Sequence, residues 1–138
     1  MESLLFYPMF AMTVLIMLAY LNLGRIRLSL IKSKKVKMDY FKTYIPDSDY
    51  PRELYTSSRL LSNLYEAPIK FYVINLIVMS LGINSILFMT LSCAYVLLRY
   101  IHAYILAMGK SVSMRFYFFC ASQALMGLMW LICLIEIL

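Results

Sequence analysis

Charge is what this sequence has least of: 14% of its 138 residues are charged, against 63% hydrophobic. A soluble domain of that size exposes much of its surface and needs far more charge to cover it. With a mean hydropathy of +0.78, lipid is the simpler solvent. Cysteine is also scarce. Cys93, Cys120 and Cys133 are an odd set inside apolar runs, with no CxxC spacing and no paired histidine. That argues against a disulfide framework and a metal centre, and leaves small apolar side chains packed in a membrane. No groove-reading motif accompanies the net charge of +6, so nucleic acid is not the expected partner. The first apolar run is preceded by Glu2 rather than a basic segment, and no small-residue cleavage site follows it. It reads as a membrane span and not as a signal peptide.

The length suits one domain over residues 1–138. Four apolar runs are long enough to cross a hydrocarbon core of about 30 Å. They predict spans at about 3–23, 59–81, 85–108 and 115–137. Pro46, Asp47, Ser48, Asp49 and Pro51 mark a loop within the polar stretch from Asp39 to Tyr55. Thr56, Ser57 or Ser58 is placed to cap the second helix, unless Arg52 and Glu53 already belong to it. Gly82-Ile83-Asn84 and the stretch from Gly109 to Ser113 predict tight turns. Every connection but the first is short, so the fold class is all-α, an integral membrane four-helix up-down bundle.

The 13 Lys and Arg all lie between Arg25 and Arg115, most of them before residue 60. Lys110 and Arg115 fall at the same end of the bundle as that cluster, whereas Glu2 and Glu136 are the charges at the other. By the positive-inside bias both termini are non-cytoplasmic.

Several ionisable groups fall within the spans, where charge is expensive and points to a site. On the second helix, Arg59, Asn63, Glu66 and Lys70 share a sector roughly 60° wide at about 100° per residue. Arg99 and His102 lie near the end of the third helix, Arg115 opens the fourth and Arg27 follows the first run. The competing reading is structural. Glu66 and Lys70 have the spacing of a favourable i,i+4 pair, and Arg59, Arg99 and Arg115 would snorkel to headgroups. Tyr65 and Tyr104 read as interfacial aromatics.

The segment Arg59-Leu-Leu-Ser-Asn63-Leu-Tyr-Glu66-Ala-Pro68-Ile-Lys-Phe-Tyr72 resembles the R-x3-N-x2-E signature of the MAPEG superfamily, the membrane-associated proteins of eicosanoid and glutathione metabolism. Its tail is most similar to the bacterial branch. The separation of His102 from Arg115, and the basic segment Gly24-Arg25-Ile26-Arg27-Leu28, resemble the family as well. The resemblance implies a homotrimer of four-helix protomers in a bacterial inner membrane, binding glutathione near the cytoplasmic face. It implies that Arg59, Asn63 and Glu66 hold the ends of the tripeptide, that His102 and Arg27 assist, and that Arg115 is the catalytic residue beside the sulfur. Phe116, Phe119, Ser62 and Leu106 stand where well-studied animal members carry serine, tyrosine, arginine and tyrosine, which implies weaker binding and weaker thiol activation.

The function implied is a glutathione-dependent transferase or peroxidase, joining the thiolate to hydrophobic electrophiles or reducing lipid hydroperoxides that enter from the bilayer. The alternative is a non-catalytic protein on the same scaffold, binding another anion or lipid headgroups. Topology is open to direct test. In a background without native cysteines, Lys42→Cys and Leu138→Cys are expected to react with an impermeant thiol reagent from opposite sides of the membrane; labelling from one side at both positions would refute the orientation.

Overall fold

The computed structural model describes residues 2–36, 51–83, 85–109 and 111–138. The loop markers Asp39, Pro46, Asp47, Ser48 and Asp49, the labelling position Lys42, the turn residue Asn84 and the basic Lys110 lie outside the described residues. A short 3-10 turn, Glu2–Leu5, leads into α1 (Phe6–Lys32); α2 (Arg52–Ser80), α3 (Ile86–Ala107) and α4 (Val112–Ile137) follow. The chain is an all-α four-helix bundle and an integral, multi-pass membrane protein.

Two helix boundaries differ from expectation for local reasons. The first helix continues through Gly24 to Lys32, well beyond Leu23. One glycine costs a helix about 1 kcal/mol, too little to end a long one. It ends instead with Lys34 at positive φ, where Lys34 N–H donates to the Ile31 carbonyl and Lys35 N–H to the Leu30 carbonyl. The second helix begins at Arg52, behind Pro51, with Glu53 in its first turn against the positive end of the helix dipole. Thr56 therefore caps nothing: its hydroxyl donates to the Arg52 carbonyl inside the helix at 2.9 Å. Ser85 does act as a cap, its hydroxyl accepting from Phe88 N–H at 3.3 Å.

Three of the helices, α1, α3 and α4, are long and apolar enough to cross a membrane. The fourth predicted span, 59–81, falls on α2, which differs from these three in carrying Arg52, Glu53, Arg59, Glu66 and Lys70. Its uncharged remainder, Phe71 to Leu81, covers about 16 Å at 1.5 Å per residue, roughly half a hydrocarbon core. Its charged half is tolerable near lipid only where it faces protein or water.

The helices pair as the hairpins α1–α2 and α3–α4, with α2 also touching α3 and α4, and α3 touching α1. Among the described residues α1 and α4 do not meet, so α2 and α3 lie across the short diagonal. Met12, Leu64, Phe71, Ile74, Val78, Phe88, Tyr95 and Met129 fill the centre. Phe71 stacks on Tyr95 with ring centroids 4.7 Å apart. Two polar contacts join helices within the bundle. Ser92 donates to the Asn75 side-chain carbonyl at 2.8 Å, and Tyr100 donates to the Ala11 carbonyl at 2.7 Å. Outward, Phe10, Leu21, Leu97, Leu131 and Ile135 are exposed, the surface of a molecule whose solvent is hydrocarbon.

The α2 turn closes on Gly82 at φ 69°, with Gly82 N–H donating to the Met79 carbonyl and Ile83 N–H to the Val78 carbonyl. Only glycine takes that left-handed position without penalty. Two glycines therefore predict opposite signs. Gly82→Ala is expected to destabilise by about 1–2 kcal/mol. Gly24→Ala, whose added Cβ meets nothing within 4 Å, is expected to stabilise by about 1 kcal/mol. Thermal denaturation in detergent reads both.

Candidate functional site

Three members of the α2 stripe line an open cavity of about 450 Å³ formed by α2, α3 and α4, and Lys70 does not. Arg59, Asn63 and Glu66 line it from α2, His102 from α3 and Arg115 from α4. Five of the six residues that the resemblance implies for the site thus converge on one space. The α3–α4 turn is what joins His102 to Arg115: antiparallel helices joined by a short turn bring the end of one against the start of the next.

A hydrogen bond makes this junction specific. His102 Nδ1 lies 3.0 Å from the Arg115 carbonyl oxygen. A carbonyl only accepts, so Nδ1 carries the hydrogen and the neutral ring presents a lone pair on Nε2. His102 is 3% exposed. No partner among the described residues bonds its Nε2. The imidazole is thus held in one tautomer, with Nε2 buried and unbonded among the described residues. Arg59 is exposed, and its guanidinium lies 5.4 Å from the centre of the Tyr55 ring, which positions the cation by its π face.

Arg27 is not part of this cavity. It lines a neighbouring one of about 440 Å³ on the α1 side of α2, with Leu23, Ser58 and Tyr65. Ser62 and Glu66 line both cavities, so α2 forms a common wall. Tyr65 is also turned to this side, hydrogen-bonded hydroxyl to hydroxyl with Tyr20 of α1. Tyr104 sits on the other face of α3, toward α1. Neither tyrosine supplies a hydroxyl to the polar cavity. Phe116 and Phe119 line it beside Arg115, so its α4 wall is apolar beyond the guanidinium. Among the described residues no cluster of histidine, cysteine and carboxylate side chains suits a metal ion.

The competing structural reading fails at Arg99, which does not snorkel: its exposure is 0%. Nη2 donates to the Asn63 carbonyl at 2.9 Å. Nε and Nη1 have no partner among the described residues. The bonded carbonyl lies beside a weak point of α2, since Pro68 has no N–H to give the Leu64 carbonyl. Arg99 therefore fastens α3 to the stretch of α2 that carries Asn63 and Glu66. Its charge, shielded from solvent, raises the positive potential of the cavity in front of it. A signal for its burial was present. Ser92, Tyr95, Arg99 and His102 share a sector roughly 80° wide on α3, and all four are buried.

The MAPEG family model matches residues 5–135. No curated protein and no solved structure matches the chain.

The cost of holding Arg99 in the interior yields a prediction about stability. Among the described residues no carboxylate is bonded to it, so its desolvation is offset by little beyond one backbone contact. Arg99→Met is expected to stabilise the bundle by about 1 kcal/mol or more, read as a higher thermal midpoint in detergent. A lower midpoint would show that the bond to Asn63 outweighs the desolvation.

Proposed function

The chain belongs to the MAPEG family, and from that premise we propose that it is a glutathione-dependent membrane enzyme, a transferase or peroxidase acting on hydrophobic substrates. The observation that carries this reading is the convergence of Arg59, Asn63, Glu66, His102 and Arg115 on one cavity. Glutathione offers two carboxylates, one ammonium and a thiol. Arg59 suits a carboxylate, Glu66 suits the ammonium, and Asn63 offers both a donor and an acceptor. Arg115 is the catalytic residue in this reading: a guanidinium beside the sulfur favours the thiolate, which is the nucleophile. His102 Nε2 is available to accept the thiol proton.

The thiolate then attacks an electrophilic carbon of the second substrate, forming the C–S bond as a leaving group departs or a proton is taken up. With a hydroperoxide, sulfur attacks the terminal oxygen, and a second glutathione completes the reduction to alcohol, water and the disulfide. Phe116 and Phe119 suit an apolar partner arriving from the bilayer.

The assembly proposed is a homotrimer, as the resemblance implies. Its support in the protomer is the position of Arg27, which opens on the far flank of α2. There it is placed to meet a guest held by a neighbouring copy.

The second reading, a non-catalytic scaffold holding another anion, is favoured by one feature. The α4 wall carries phenyl rings and no hydroxyl beside Arg115, so Arg115 has little help in activating a thiol. Calorimetry and ultraviolet absorbance on detergent-purified protein separate the two. Arg59→Ala is expected to weaken glutathione binding by about 1.5–3 kcal/mol, the range for a contact to a charged group. Arg115→Ala is expected to keep much of the binding and lose the thiolate absorbance near neutral pH, where free thiol with a pKa of about 8.5 shows little. Saturated wild-type protein without a thiolate signal would transfer the assignment to the scaffold reading.

A further inference from the structure

A second amphipathic feature lies between α1 and α3 and shares no lining residue with the polar cavity. It consists of two depressions that run into each other. One, of about 480 Å³, is polar: Asn22, Arg52, Glu53, Thr56 and Ser57 line it at the basic end of the bundle. The other, of about 250 Å³, is apolar, with Leu15, Leu18, Ala19, Ala103 and Tyr104 among its walls. Asn22, Leu60 and Ala107 line both, so the two form one trough with Leu60 as a floor at the junction. Ala19, Ala103 and Ala107 leave the width.

The trough's dimensions match one leaflet. From Leu15 to Ile26, α1 rises about 16 Å, roughly half of a 30 Å hydrocarbon core. Polarity also changes in the right direction, from hydrogen-bonding side chains at the basic end to hydrocarbon at depth. The walls α1 and α3 are two of the helices apolar enough to span a membrane, so lipid has access to it. Arg52 and Glu53 stand side by side at its polar end with opposite charges, both exposed. A guest headgroup that satisfies both carries an anion and a hydrogen-bonding cation. An anion alone would leave Glu53 facing like charge.

We propose that this trough is a binding site for one glycerophospholipid with a phosphoethanolamine head. The phosphate meets Arg52 and the primary ammonium meets Glu53. Asn22, Thr56 and Ser57 bond the ester and glycerol oxygens. One acyl chain lies along Leu15, Leu18, Ala19 and Ala103. The proposal is independent of the glutathione reading, because no residue is common to the two sites.

Native mass spectrometry of the full chain tests it, with the protein reconstituted from an equimolar mixture of phosphatidylethanolamine, phosphatidylcholine and phosphatidylglycerol of identical acyl chains. Wild type is expected to retain one phosphatidylethanolamine per protomer in preference to the other two. Arg52→Gln is expected to lower that retention roughly tenfold, the scale of one lost charge-assisted contact to phosphate. Glu53→Gln is expected to move the preference toward phosphatidylglycerol. Ala107→Trp, at an exposed position at the junction, is expected to block retention of every head. Equal retention of the three lipids by wild type, or a preference for phosphatidylglycerol or phosphatidylcholine, overturns the proposal. So does unchanged retention in a folded Ala107→Trp. Should that variant fail to fold, the headgroup competition in wild type still decides.

Discussion

A charged helix in a low-dielectric solvent is the constraint on which this bundle depends. α2 carries five charges between Arg52 and Lys70, and hydrocarbon cannot solvate them. α2 touches all three of the others, and Arg59, Asn63 and Glu66 line a cavity that it shares with α3 and α4. All five charged side chains remain exposed on the protomer.

Arg99 shows the same constraint at its limit. Its guanidinium is fully buried behind the cavity wall, bonded to a backbone oxygen of α2. A buried cation without a bonded carboxylate weakens a fold. Here it stands three residues from His102 and holds the backbone of Asn63, two residues that line the polar cavity. Stability is given up at a position where the charge serves the site. His102 adds a finer control, since its bond to the Arg115 carbonyl determines which ring nitrogen is available.

The bundle has two sides with different chemistry. Between α2, α3 and α4 lies the polar cavity suited to a small charged guest. Between α1 and α3 lies a trough whose polarity grades from headgroup to acyl chain. Leu106 lines the first and Ala107 the second, so consecutive residues at the end of α3 turn to opposite sides. A helix advances about 100° per residue, and that is enough to put neighbours in sequence into unrelated sites.

Membrane residence, the number of helices and the turns at Gly82 and Gly109 were legible in the sequence, because composition and local conformational preference decide them. So was the stripe of Arg59, Asn63 and Glu66, since helical period alone aligns residues on one helix. The second helix differs from the others in how much charge its first half carries, which a count of apolar runs does not register. What only the tertiary structure decided was the azimuth of each helix about its own axis. That angle turns Arg99 inward instead of toward headgroups, sends Arg27 and Tyr65 to the far flank of α2, and brings His102 onto the Arg115 carbonyl. Packing between helices sets it through contacts such as Phe71 on Tyr95 and Ser92 on Asn75, and a one-dimensional period carries no reference direction from one helix to the next.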